Sequence, residues 1–170
     1  MRIASALCAG LLVLWTGARS LEGQTTNTVN ASAVLGVQLR VRGLSDLDFG
    51  TVVAGTNKTV NIQAPPADAT PGQFSIDGEK NATVLLAFNF PAVLLSASGK
   101  TLAIGSWTGC QSTSNSVASC TPFVFGTPLN LRPNNGKLWV WLGATVSAPI
   151  TQAAGSYSGT VQMTVLYTGL

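Results

Sequence analysis

Histidine is absent from the 170 residues of this chain, and charge is scarce: nine Lys and Arg against six Asp and Glu. Without an imidazole there can be no Ser-His-Asp triad, Cys-His dyad, HExxH zinc site or haem His ligand. So few carboxylates make a clustered metal site hard to assemble. No apolar run is long enough to cross a bilayer, which takes roughly 20 residues. The sequence therefore predicts a protein that is not an enzyme, with no catalytic residue, no metal and no cofactor. What is present is 46 % hydrophobic residues with 18 Gly and 8 Pro, a composition that suits a turn-rich β protein and opposes disorder. The length suits one domain with a real core.

The first segment reads as a targeting signal rather than as part of the fold. Met1 and Arg2 form a short positive start, and Ile3 to Trp15 is almost wholly apolar, with Leu11, Leu12, Val13 and Leu14 at its densest. Thr16 to Ser20 is then polar and small, as signal peptidase prefers. Residues 1–23 are expected to be removed, with cleavage after Ser20 or Gly23. Cleavage after Gly23 leaves seven basic and five acidic residues, a net charge of +2. No basic cluster exceeds Arg40-Val41-Arg42, so nucleic acid is not an expected partner. The mature chain has no expected membrane span and is exported: periplasmic in transit, then at the cell surface or extracellular. Cys8 leaves with the signal. Cys110 and Cys120 remain, and an even pair in an exported chain reads as a disulfide closing the Ser-rich loop Gln111 to Ser119.

Alternation dominates the mature chain. Val29, Ala31, Ala33, Leu35, Val37, Leu39 and Val41 are all apolar, while the intervening positions are mostly polar or small, a two-residue period that predicts a strand with one buried face. From Val29 to Val41 that strand would reach roughly 43 Å, well over twice the usual length. It either bends near Gly36 or extends beyond its own domain. At the other end Tyr157, Gly159, Val161, Met163, Val165 and Tyr167 share one face of an expected final strand. Between them, Leu47 to Val53 and Thr59 to Ile62 are expected to pair as a hairpin around Gly55. Ala82 to Phe90 is nearly continuous in apolar residues and predicts a strand covered on both sides. Leu129-Asn130-Leu131 and Lys137 to Val146 flank an Asn-Gly turn and predict another hairpin. The fold class is therefore an all-β, immunoglobulin-like antiparallel β-sandwich of about nine or ten strands. Residues 24–42 form an N-terminal extension or first strand, and residues 43–170 form a single sandwich domain.

Few residues suggest binding chemistry. Asp46 with Asp48 and Asp77 with Glu79 are the only acidic pairs, and neither sits in a calcium-loop spacing; both read as solvated turn residues. Trp107, Trp139 and Trp141 could form a sugar-stacking platform; Trp139 and Trp141 share one face of a strand, which also suits a strand with core on one side and partial cover on the other.

The segments Leu47-Asp48-Phe49-Gly50-Thr51-Val52 and Gly155-Ser156-Tyr157-Ser158-Gly159-Thr160-Val161, followed by the alternating strand to Tyr167, resemble one group. It comprises secreted bacterial domains of unknown function related to spore coat protein U and the chaperone–usher pilins. The resemblance spans roughly Ala31 to Tyr167. It implies a sandwich that lacks one strand, a structural role in a surface fibre or coat, and assembly by strand donation. Val29, Ala31, Ala33, Leu35 and Val37 would be the donor residues. Tyr157, Val161, Met163, Val165 and Tyr167 would border the acceptor groove. The implied partners are neighbouring copies or related subunits, a periplasmic chaperone and an outer-membrane usher. Many pilins carry their disulfide near the first strands and stop nearer the last aromatic residue, whereas here the cysteines are mid-chain and Thr168-Gly169-Leu170 follows Tyr167. Those departures keep a second reading open: a self-complete, monomeric secreted sandwich acting as a coat or carbohydrate-binding protein.

Overall fold

The computed structural model describes residues 36–130 and 135–169, which belong to one compact unit, Leu35–Leu170. Among the described residues there is no α-helix, only a short 3-10 turn at Val117–Ser119 and eleven strands. These are β1 (Arg40–Ser45), β2 (Asn57–Thr59), β3 (Gly72–Asp77), β4 (Thr83–Asn89), β5 (Val93–Ser96), β6 (Thr101–Ser112), β7 (Thr121–Pro122), β8 (Pro128–Asn130), β9 (Lys137–Ser147), β10 (Tyr157–Ser158) and β11 (Gln162–Gly169). Every pairing is antiparallel. The large sheet runs β1-β3-β9-β6-β5-β10, with β2 beside β9 and β7 beside β6; the small sheet runs β11-β4-β8. The expected all-β antiparallel sandwich is thus the observed fold.

The long central strands β9 and β6 form the backbone of the large sheet: apolar inward positions alternate along β9, and along β6 up to the bulge between Gly105 and Thr108. Leu138, Val140, Leu142, Ala144 and Val146 of β9 are all buried, as are Leu102 and Ile104 of β6. The small sheet covers only part of this surface. One core cluster joins Val84 and Leu86 of β4 to Ile76 of β3 and Leu138, Val140 and Leu142 of β9, with Val161, Met163, Val165 and Tyr167 packed against it. A second cluster joins Phe49, Val60, Ala69, Leu102, Ile104, Ala144, Val146 and Ala148, and contains no residue of β4, β8 or β11. Half of the large sheet is therefore covered by irregular chain and a short strand edge rather than by the opposing sheet.

Several sequence expectations are corrected by this topology. Val29, Ala31, Ala33 and Leu35 lie outside the described residues. Among the described residues the first strand begins at Arg40, and Val37 precedes it with 54 % of its surface exposed. Leu47 to Val53 makes no hairpin with Thr59 to Ile62. Only Asp48 forms a bridge, to Thr70, and β2 pairs with β9 instead. The reason is local: Gly50 turns the chain with φ of 59°, and an extended ladder cannot pass through that conformation. The expected strand Ala82 to Phe90 is covered on one side only, with Val84 and Leu86 buried but Ala87 exposed. Leu131 lies outside the described residues, and Leu129 and Asn130 do not pair with β9. They form part of β8, which pairs with β4 in the small sheet, whereas β9 lies in the large one. Finally, the stretch from Tyr157 to Tyr167 is two strands. β10 joins β5 in the large sheet, β11 joins β4 in the small one, and the chain changes sheet at Gly159 to Val161.

Candidate functional site

The strand change at Gly159 leaves a gap. A groove of about 900 Å³ opens between residues 46–54 on one side and 152–161 on the other, over the half of the large sheet that the small sheet leaves uncovered. Leu102, Ile104, Leu142 and Val146 line it together with Leu94, Trp107 and Tyr157. A groove whose lining includes core side chains is a place where apolar surface remains open to an incoming chain.

Each wall is set by local chemistry. On the first, Asp48 exchanges backbone hydrogen bonds with Thr70 at 2.9 and 2.8 Å, and its carboxylate accepts the Gly50 N–H at 2.8 Å. Phe49 points inward and is buried. Gly50 sits so close to residue 68 that a Cβ would collide with the Asp68 carbonyl oxygen. The Asp68 carboxylate accepts the Thr51 N–H at 3.1 Å and pairs with Lys58 at 2.6 Å. Lys58 also donates to the Thr51 carbonyl at 2.9 Å. The Lys58 hydrogen bond, aided by the Thr51 amide, holds the Asp68 carboxyl below its ordinary value. The Leu-Asp-Phe-Gly segment is thus a turn clamped to a distant loop.

The second wall is braced by Tyr157. Its hydroxyl donates to the Ala153 carbonyl at 2.7 Å and accepts from the Gln152 side-chain amide at 2.6 Å. Past it, Gly159 crosses close to Leu94, where a Cβ would come within 2.9 Å of the leucine Cδ2. Trp107 closes part of the groove by stacking on Phe90 with ring centroids 4.4 Å apart, and Phe125 meets Phe90 edge-on at 5.0 Å. The Trp107 end of the groove is aromatic and stiff.

Beyond the groove runs β11. Among the described residues it pairs only with β4, so its other edge carries no partner. Val161, Met163, Val165 and Tyr167 are half-buried on its inward face, while Gln162, Thr164, Leu166 and Thr168 are exposed. The residues expected to border an acceptor groove are therefore divided. Tyr157 and Val161 line it, Met163, Val165 and Tyr167 follow on β11 against the other core cluster, and Tyr157 belongs to the other sheet. Leu94, Leu102, Ile104 and the Lys58–Asp68 pair were not singled out in the sequence, and Trp107 was read there only as a candidate sugar-stacking residue. They come from distant segments, and no short-range signal marks them.

The remaining candidates lie elsewhere. Cys110 and Cys120 form the expected disulfide. With Ile62 it covers Trp141, which is 4 % exposed and offers no ring face to a ligand. Trp139 is half-buried beside this cluster. Asp77 is paired with Lys137, and among the described residues no three His, Cys, Asp or Glu side chains group together in a way that could hold a metal. No described helix is long and apolar enough to cross a membrane.

The fold and its groove define a β-sandwich domain with an open seam between its sheets. The chain belongs to DUF4402, a family described as a domain of unknown function, which it matches over residues 39–167. No curated protein matches it.

Proposed function

We propose that this protein is a non-enzymatic structural subunit of an exported bacterial surface fibre or coat, assembled by β-strand donation between subunits. The observation that carries the reading is the groove between residues 46–54 and 152–161, lined by core side chains and reaching Val161 just before β11, whose second edge has no partner among the described residues. An extended apolar segment entering there would place alternate side chains over Leu102, Ile104 and Val146, and its continuation past Val161 would meet the edge of β11 that faces away from β4. Residues 24–37, alternating from Val29 to Val37, have the required pattern. A periplasmic chaperone and an outer-membrane usher are the partners such a subunit would use. The likeness to spore coat protein U and the pilins belongs to this reading.

A second reading draws on a different observation. Tyr167 binds the Val37 carbonyl, bringing the chain's own Val37 to the end of its own β11. In that reading the protein completes its own sandwich and acts as a monomer.

One experiment separates them. Residues 24–36 are deleted from the mature protein, and a Val29–Val41 peptide is added in trans. Strand donation predicts that the intact protein forms oligomers and that peptide raises the melting temperature of the truncated one. An intact protein that stays monomeric, with a truncated form indifferent to peptide, overturns it.

A further inference from the structure

The outer face of the large sheet carries a second recess, away from the groove. It has a volume of about 170 Å³, and its lining includes Arg42, Ser75, Asp77, Lys137 and Trp139. We infer that it is a binding site for a carboxylated sugar ring.

The register explains the recess. Arg42 lies opposite Ser75, and Ser75 opposite Trp139, so the three side chains form one row across β1, β3 and β9. Strands stand about 4.8 Å apart, which places the guanidinium stem and the indole on either side of a small serine, with a gap one ring wide. The neighbouring row is Arg40, Asp77 and Lys137. Asp77 is paired with Lys137, while neither Arg40 nor Arg42 joins an ion pair among the described residues. The two rows therefore hold three cations against one carboxylate, and the surplus charge favours an anion. A planar guanidinium suits a carboxylate in a bidentate fork. The indole offers a flat face to sugar C–H groups, and the Ser75 hydroxyl and Asp77 carboxylate can bond ring hydroxyls. Neutral sugars would leave Arg42 without its anion. Simple anions would leave the indole unused.

The test uses the full mature protein, with the Trp139 indole N–H signal followed by NMR. Glucuronate, glucose, acetate and an oligoglucuronate are titrated separately. Glucuronate should shift that signal saturably, with glucose and acetate at least about tenfold weaker. Arg42→Gln, at an exposed edge position, should weaken glucuronate about tenfold, as expected for loss of one charge-assisted hydrogen bond. Trp139→Phe, which keeps a ring and is followed through the Ser75 and Lys137 backbone amide signals instead, should bind more weakly while remaining folded. Saturation by the oligosaccharide alone supports the same site within a glycan. No shift with either uronate, equal shifts with acetate, or an Arg42→Gln protein that binds glucuronate unchanged would each overturn the assignment.

Discussion

The Tyr167 hydroxyl donates a hydrogen bond to the Val37 carbonyl oxygen at 2.8 Å, joining the last strand to the chain just before the first. The Tyr167 hydroxyl oxygen in turn accepts the Glu79 N–H at 2.7 Å. Three segments far apart in sequence thus meet at one phenol. The chain before β1 is pinned here to the C-terminal half of β11, and the groove lies past the other end of β11, at Val161. Tyr167 reads in sequence as one more apolar position of an alternating strand; its hydroxyl makes it a fastener.

Tyr167→Phe should keep the ring packed and remove both hydrogen bonds. At about 0.5–1.5 kcal/mol each, the loss is about 1–3 kcal/mol, measurable by chemical denaturation. Amide exchange over residues 36–39 should accelerate by more than the global loss explains. Unchanged stability with unchanged exchange at those residues would remove the fastening role.

Gly50→Ala should destabilise the domain by about 1–3 kcal/mol or more. The site needs φ of 59°, which costs any L side chain, and a Cβ would also strike the Asp68 carbonyl. Gly99→Ala is the control: it too has positive φ, at 75°, but open space around it. It should cost less, and an equal cost at both sites would show that the close approach to Asp68 carries no energy.

Replacing Cys110 and Cys120 together by serine should lower stability by roughly 2–3 kcal/mol on the loop-entropy estimate. Trp141 lies beneath the disulfide, so its emission should move to the red in the variant before global unfolding begins. The Ser112, Ser114 and Ser119 hydroxyls, within 3.1–3.2 Å of one another, should not hold the loop alone. Emission identical to the wild type up to the melting transition would mean that they do.

Asp68→Asn tests the clamp through pH. The folded Asp68 carboxyl titrates below its ordinary value of 3.8 because Lys58 and the Thr51 amide favour the carboxylate. A depressed carboxyl contributes stability that is fully present above the unfolded value and fades as pH falls through the folded one. The wild type should therefore exceed Asp68→Asn in stability at neutral pH, with the difference shrinking below about pH 4. A pH-independent difference would mean that the ion pair does not produce it.

The period of two was legible along much of this chain, and so was the disulfide. Val161, Met163, Val165 and Tyr167 do share an inward face, and the even positions between them are exposed. Pairing was not legible. Leu47 to Val53 looked like half of a hairpin, yet Gly50 and the Asp68 contact turn it into a groove wall. Tyr157 and Tyr167 looked like two ends of one strand, yet they lie in different sheets. Trp139 and Trp141 looked equivalent, and only the disulfide loop distinguishes them by covering one.

By itself the sequence determined the class of fold, the faces of its strands and the exclusion of imidazole chemistry, because side-chain alternation and residue types are local properties. Which strands pair, where the second sheet stops, and hence which core side chains line an open groove were decided only in three dimensions. A two-residue period says which side of a strand is apolar and leaves open what covers it. That cover comes from contacts between residues such as Val37 and Tyr167, whose closeness depends on every strand placed between them.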